Sequence, residues 1–177
     1  MAILGLDIST VCTGYSVLDM KGELLEVGFI ELNRPPKSPP IFYDRAILLE
    51  ERLKELEVKH DIRHVFIEEP IRVKGRNSNS NTIIKLLQLN GIVSLMCYRI
   101  FGVEPVHLRV TSARKRARVP QRRGDKDIKH KVFKRLTEEL GYDVPVTKKR
   151  TGTFKDYVYD MSDSLLMAYV GFLRVGS

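Results

Sequence analysis

Residues 2–8, Ala-Ile-Leu-Gly-Leu-Asp-Ile, constrain the fold more than any other stretch of this 177-residue chain. They read as a buried strand that carries one carboxylate, Asp7, to its end. On a strand Ile3, Gly5 and Asp7 point one way, while Leu4, Leu6 and Ile8 point the other. An acid in so apolar a run is costly unless something pairs with it, and a metal ion is one candidate. The simpler alternative is an Asp that stops the strand and opens the turn through Ser9 and Thr10 toward Thr13 and Gly14. The stretch alone leaves both readings open.

The rest of the chain supplies a sheet around that strand. Strands are expected over residues 2–8, 14–20 and 23–32, with Met20-Lys-Gly22 as a hairpin turn and Pro35, Pro36, Pro39 and Pro40 as breakers after them. Residues 43–59 form an amphipathic helix with Ala46, Leu49, Leu53 and Leu56 on one face. His64 to Pro70 is a short buried strand ending in Glu68 and Glu69. Residues 71–81 are a polar basic loop containing Arg72, Lys74 and Arg76. The helix over 82–101 is apolar on more than one face, so it is either sandwiched in the core or shared with a partner subunit. A strand over 103–110 leads into a basic block, Arg114 to Arg118 and Gln121 to Gly124. A helix over 125–140 turns Ile128, Val132, Leu136 and Leu140 inward. Residues 142–157 read as an irregular basic loop, and a last helix runs from near Asp160 to about Arg174. This succession predicts a mixed α/β sheet with helices on its faces, in a single domain over residues 1–177.

Charge narrows the class of partner. The net charge is +8, and residues 109–150 hold fifteen Lys/Arg against five Asp/Glu. A basic block inside an otherwise near-neutral domain points to a polyanion, most often nucleic acid, rather than to a merely solvated surface. Cys12 and Cys97 are far apart, and neither they nor the four histidines show metal-ligand spacing. No uninterrupted apolar run is long enough to span a bilayer, and the N-terminus lacks the basic region of a signal peptide. The expectation is an intracellular protein, without a membrane partner or structural zinc.

Acids recur where elements end. Asp7 closes the first strand, Glu68 closes the strand after the first helix, and Asp160 with Asp163 opens the last helix. In α/β sheets, sites collect at the ends of adjacent strands and at nearby helix starts. Four such carboxylates can hold two divalent cations roughly 4 Å apart, an arrangement suited to phosphodiester hydrolysis. Asp160 and Asp163 also fit an ordinary N-cap and N3 pair favoured by the helix dipole. The pleat allows either Glu68 or Glu69 to face such a site, and the pattern does not choose between them.

The ordered set Ile-Leu-Gly-Leu-Asp7-Ile-Ser, Thr13-Gly14-Tyr-Ser-Val, Phe-Ile-Glu68 and Asp160-Met-Ser-Asp163-Ser-Leu-Leu-Met-Ala resembles the RuvC family of Holliday junction resolvases. The resemblance implies an RNase H-like mixed sheet, three antiparallel N-terminal strands followed by parallel ones, with helices on both faces. It implies that Asp7, Glu68, Asp160 and Asp163 are catalytic acids holding two Mg²⁺ ions, with Mn²⁺ able to substitute. It favours Glu68 over Glu69. It places the family's two active-site lysines at Lys115 and Lys126, although Arg114 or Arg116 can take the place of Lys115 after a small shift. It implies a homodimer through the helix 82–101, acting on branched DNA, chiefly four-way junctions, in the cytoplasm of a bacterial or phage-infected cell. Arg72, Lys74, Arg76, Arg114, Arg116, Arg118, Arg122, Arg123 and Lys129 are the expected DNA contacts.

The chain departs from the family pattern in three places. Ile71 and Val73 stand where an aromatic residue usually follows the glutamate, the 71–81 loop is slightly longer, and the segment before Asp160 is longer by roughly a dozen residues. The divergence suggests a phage or viral version. Two other classes share features of the sequence: a broader branched-DNA nuclease cutting flaps and forks, and an actin-like or sugar-kinase-like ATP-binding protein. The latter lacks a second glycine-rich phosphate loop here.

Overall fold

The computed structural model describes residues 1–32, 42–70, 80–122 and 124–176. Its first strand, β1 (Ala2–Asp7), runs antiparallel to β2 (Cys12–Asp19), which runs antiparallel to β3 (Leu24–Glu31). Asp19 holds the β2–β3 turn by accepting the backbone N–H groups of Lys21 and Glu23, each at 2.8 Å. Gly22 supplies the positive φ of +86° that this turn requires. β4 (Ile62–Glu68) lies parallel to β1 on its other side, and β5 (Val106–Leu108) lies parallel to β4. The order β3-β2-β1-β4-β5 puts β1 at the centre, as an apolar strand demands. The expected mixed sheet is therefore present.

Each face of β1 meets different helices. Leu4 and Leu6, with Val65 and Ile67 of β4, pack against α1 (Phe42–Lys59) and α2 (Ser80–Phe101) through Leu49, Leu53, Leu56, Leu89 and Val93. Ile3 and Phe66 pack on the opposite face against α5 (Asp156–Val175), through Met161, Leu165 and Ala168. Full burial of one such leucine contributes about 2 kcal/mol. Helices thus cover both faces.

α5 approaches the sheet closely because two strand positions lack side chains. A Cβ on Gly5 would lie 2.2 Å from the Ser164 carbonyl oxygen, and one on Gly14 would lie 2.0 Å from that of Asp160. Gly14 is the cross-strand partner of Asp7, so the helix is seated beside the acid. Ser16 of β2 and Ser164 of α5 share a buried hydrogen bond of 2.8 Å across the same interface.

Several expected boundaries move, each for a local reason. The strand over 103–110 is only β5, and the chain turns at once into α3 (Val110–Arg116), so the first basic cluster is helical rather than extended. Ala113 and Ala117, one turn apart, are buried against the α5 side and hold it there. α3 ends with Val119 N–H donating to the Arg114 carbonyl and Arg118 N–H to that of Lys115, at 2.9 and 3.1 Å. Arg118 occupies the left-handed position of this ending, φ +58°, where glycine is usual; an L side chain there costs about 1 kcal/mol.

The helix expected over 125–140 begins three residues later, as α4 (Ile128–Lys134), and widens into a π-helical turn over Arg135–Glu139. α5 begins at Asp156 rather than near Asp160, and its N-cap is Lys155. The stretch before it contains an ordered hairpin where an irregular loop was expected. α2 is long and apolar enough to cross a bilayer by length and composition, which the short uninterrupted runs did not suggest. It packs through Leu89, Val93 and Cys97 and leaves Ile84, Leu87, Leu95 and Tyr98 exposed.

Candidate active site

β1 and β4 are adjacent and parallel, so their C-terminal residues, Asp7 and Glu68, come together at one sheet edge. Alternation along β4 decides between the two glutamates. Phe66 packs on the α5 side and Val65 and Ile67 on the other, so Glu68 faces α5 and Glu69 does not. Glu69 instead accepts a hydrogen bond from Arg109 Nε at 3.2 Å.

α5 brings the other carboxylates. Asp163 is 3% exposed, and carboxylate oxygens of Asp7, Glu68 and Asp163 all lie within 4.8 Å of one another. Asp160, one turn earlier on the same face, lies toward Cys12 and Lys129 and is not part of that trio. Because α5 starts at Asp156, neither Asp160 nor Asp163 caps it. The capping alternative no longer accounts for them.

The electrostatics of the cluster are unfavourable without a cation. Burial, reinforced by Glu68, Asp163 and Asp160, pushes the Asp7 carboxyl well above the usual carboxylate range. Burial and the nearby Asp163 raise Glu68 to about 7. Burial raises Asp163, and Lys129 and Arg114 offset only part of it. Burial also raises Asp160, against the charge of Lys129 and a hydrogen bond from the Cys12 thiol. Burial and the neighbouring Asp160 push that thiol up to about 12. Asp163 Oδ1 is buried with no hydrogen-bond partner among the described residues. Crowded carboxylates with a spare oxygen are the donor set of a hard divalent cation such as Mg²⁺ or Mn²⁺, and such an ion fits here.

Two cations of the chain stand at the acids. Lys129 Nζ is 3.7 Å from both Asp160 Oδ1 and Asp163 Oδ2. Burial works against its charge, but Asp163, Asp160, Asp7 and Glu68 outweigh burial and raise its pKa. Arg114 of α3 acts on Glu68 and Asp163, and its buried Nε has no hydrogen-bond partner among the described residues. Lys126 lies ahead of α4, in a hollow it shares with Asp127, Lys129, His130, Asp156 and Tyr159. The later start of α4 puts Lys129, in its first turn, against the acids. Lys115 is exposed on α3, one residue past the inward-facing Arg114. The resemblance implies Lys126 and Lys115 for these places, with Arg114 or Arg116 as a substitute for Lys115; the helix start and the facing of α3 distinguish them.

The other expected DNA contacts divide. Arg122 lines a shallow depression with Thr111, Arg114, Gln121 and Ile128. Arg118 is exposed at the left-handed end of α3. Arg116 donates to the Leu173 carbonyl at 2.8 Å, ten residues along α5 from Asp163 and hence roughly 15 Å away. Arg72, Lys74, Arg76 and Arg123 lie outside the described residues. Sequence reasoning missed Cys12 at Asp160 and the seating role of Gly5 and Gly14. The glycines were legible only as small residues near Asp7.

No protein-family model matches the chain. The crossover junction endodeoxyribonuclease RuvC of Aliarcobacter butzleri (strain RM4018) is 31% identical over 105 residues, 58% of this chain and 62% of that protein. The chain therefore matches less than two thirds of that relative's length. Thermus thermophilus RuvC, solved in complex with a Holliday junction substrate, superposes over 99% of this chain and 97% of its own with a TM-score of 0.71 at 17% identity. The fold of this chain is that of RuvC. The yeast mitochondrial Holliday junction resolvase superposes over 97% of this chain and 77% of its own, at TM-score 0.61 and 15% identity. The fowlpox virus resolvase, solved with junction DNA, covers 100% of both chains at TM-score 0.55 and 12% identity. At these identities the structural likeness speaks for the RNase H-like fold.

Proposed function

We propose that this chain is a structure-specific DNA endonuclease that resolves four-way junctions by paired, symmetric phosphodiester hydrolysis. One observation carries the reading: Asp7, Glu68 and Asp163 converge within 4.8 Å on a RuvC-like fold. The similar proteins are junction-cutting enzymes, which supports a junction as the substrate. In this reading residues 1–177 are one nuclease domain, working in the bacterial or phage-infected cytoplasm where the DNA is.

Asp7, Glu68, Asp160 and Asp163 would hold two Mg²⁺ ions, with Mn²⁺ able to substitute. Bound divalent cations supply an activated water and neutralise the leaving oxygen. The chain's own groups do the remaining work. Lys129 keeps Asp160 and Asp163 apart from one another's charge and offers an N–H to the scissile phosphate. Arg114 favours the charged forms of Glu68 and Asp163 against the burial that raises them, and faces the backbone of the cut strand. Arg118 and Arg122 continue that basic surface, and their exposure suits phosphate contacts.

A second copy of the chain would supply the second cut. Leu95 and Tyr98 of α2 are 58% and 59% exposed, and Ile84 and Leu87 extend the apolar strip. Such a strip on a helix that already packs one face inward suits a twofold homodimer interface.

The test is incubation with a synthetic four-way junction, a flap and a linear duplex in Mg²⁺. The reading expects paired nicks at symmetric positions in the junction and none in the duplex. Equal cleavage of flap and junction would favour the broader branched-DNA nuclease.

A further inference from the structure

The proposed chemistry leaves one built feature unused, the hairpin over residues 147–155. Lys148 and Phe154 pair as an antiparallel bridge. Lys155 N–H donates to the Thr147 carbonyl at 2.9 Å, and Lys149 N–H to that of Thr153 at 2.7 Å. The tip closes with Gly152 N–H on the Lys149 carbonyl at 2.9 Å, and Gly152 takes the φ of +85° that a three-residue hairpin loop needs. Its base is pinned by Phe154, whose ring lies 4.9 Å from that of Phe133 and 5.8 Å from those of His130 and Tyr159. The hairpin is thus fixed to both α4 and α5.

Its charges are arranged for a ligand outside the chain. Lys149 Nζ is tied to Asp156 at 2.9 Å, which braces the tip against the start of α5. Lys148 and Arg150 are exposed, and neither forms an ion pair with a described residue. Below the base lies a hollow of about 380 Å³ lined by Lys126, Asp127, Lys129, His130, Asp156 and Tyr159. Lys129 joins that hollow to Asp160 and Asp163. The hairpin base and the acids thus share one polar hollow, with Lys126 and Lys129 facing Asp127 and Asp156, and the unpaired positive charge lies at the tip. Holding unpaired cations on an ordered tip costs repulsion and entropy, which a polyanion recovers on binding.

We propose that the 147–155 hairpin is a clamp for duplex DNA, gripping the phosphates of the arm that flanks the cut strand through Lys148 and Arg150. The tip offers Lys, Arg and Thr groups and no exposed aromatic ring, so it grips the backbone without reading bases. The clamp rests on the nuclease reading and sets affinity, not chemistry.

The test compares the full chain with a Lys148→Ala/Arg150→Ala double variant on a four-way junction. Binding is measured without Mg²⁺ across a salt series, and single-turnover cleavage with Mg²⁺ at saturating enzyme. Loss of two phosphate contacts should weaken binding by about tenfold or more near 0.1 M salt and flatten the log–log salt slope by about two. The saturated cleavage rate should be unchanged, and a Lys148→Arg/Arg150→Lys variant should bind like the parent. Unchanged affinity and slope, or a slower saturated rate at unchanged affinity, would overturn the clamp. If the parent cuts junctions and the double variant matches it throughout, the clamp alone fails. If the parent neither binds nor cuts junctions, the nuclease reading fails and the clamp with it.

Discussion

At the scale of single residues, the choice of Lys129 over Lys126 as the proposed active-site lysine turns on where one helix begins. Lys129 touches Asp160 and Asp163, while Lys126 lies ahead of α4 and Lys115 is exposed on α3. Lys129→Ala is expected to lower the single-turnover cleavage rate by two to three orders of magnitude, roughly the worth of one positioned charge at a reacting phosphate. Lys126→Ala and Lys115→Ala should each leave that rate within about threefold; a loss at Lys126 matching that at Lys129 would reverse the assignment. Asp7 and Glu68 were legible as acids at strand ends, because an acid in an apolar run needs a reason. Lys129 was legible only as one of the expected DNA contacts and not as a neighbour of the acids, since charge count carries no direction.

The same residues tie stability to pH. Glu68 keeps its proton in the fold up to about pH 7, and Asp7 is likewise held well above the usual carboxylate range, mainly by burial. In the unfolded chain such groups ionise near pH 4. Between those limits the unfolded chain has released protons that the fold retains, so this contribution to stability declines as pH rises from about 4 through 7. The metal-free protein should melt at a lower temperature at pH 8 than at pH 5.5, with Mg²⁺ restoring most at pH 8. Asp7→Asn should melt higher than the parent at pH 8 without metal and gain less from Mg²⁺. A metal-free melting temperature that rises across this interval would contradict the assignment of these acids as an unneutralised cluster.

At the scale of elements, α5 is the piece that makes a site out of scattered acids. Its start at Asp156 removes the capping explanation for Asp160 and Asp163, and its descent onto Gly5 and Gly14 brings them to Asp7. Gly14→Ala would place a methyl 2.0 Å from the Asp160 carbonyl oxygen, a contact that backbone must move to relieve. The expected outcome is a loss of about 3 kcal/mol or more in a denaturant titration, with cleavage reduced even in the folded fraction. Strand and helix order was readable from periodicity and turn residues. The bounds of α3, α4 and α5 were not, because buried Ala113 and Ala117, the π-helical turn and the 147–155 hairpin are set by tertiary packing on the sheet.

At the scale of the whole molecule, the sheet separates two tasks. One face, with α3, α4 and α5, carries the acids and the basic surface; the other, with α1 and α2, carries the exposed apolar strip. The sequence offered two readings of α2, and its exposed Leu95 and Tyr98 favour sharing it between subunits. A Leu95→Glu/Tyr98→Glu variant should sediment as a monomer where the parent sediments as a dimer, and should nick junctions singly rather than in pairs. A parent that is monomeric at micromolar concentration would remove the proposed dimer.

The central claim is that Asp7, Glu68, Asp160 and Asp163 form one metal-dependent centre for cutting branched DNA. The most direct measurement maps nicks on all four strands of a labelled junction with the parent chain, Asp7→Asn and Glu68→Gln, each with and without Mg²⁺. The account predicts two symmetric nicks from the parent in Mg²⁺ alone, and junction binding without nicks from either variant. Cleavage by the parent without metal, or by either variant in Mg²⁺, would contradict it.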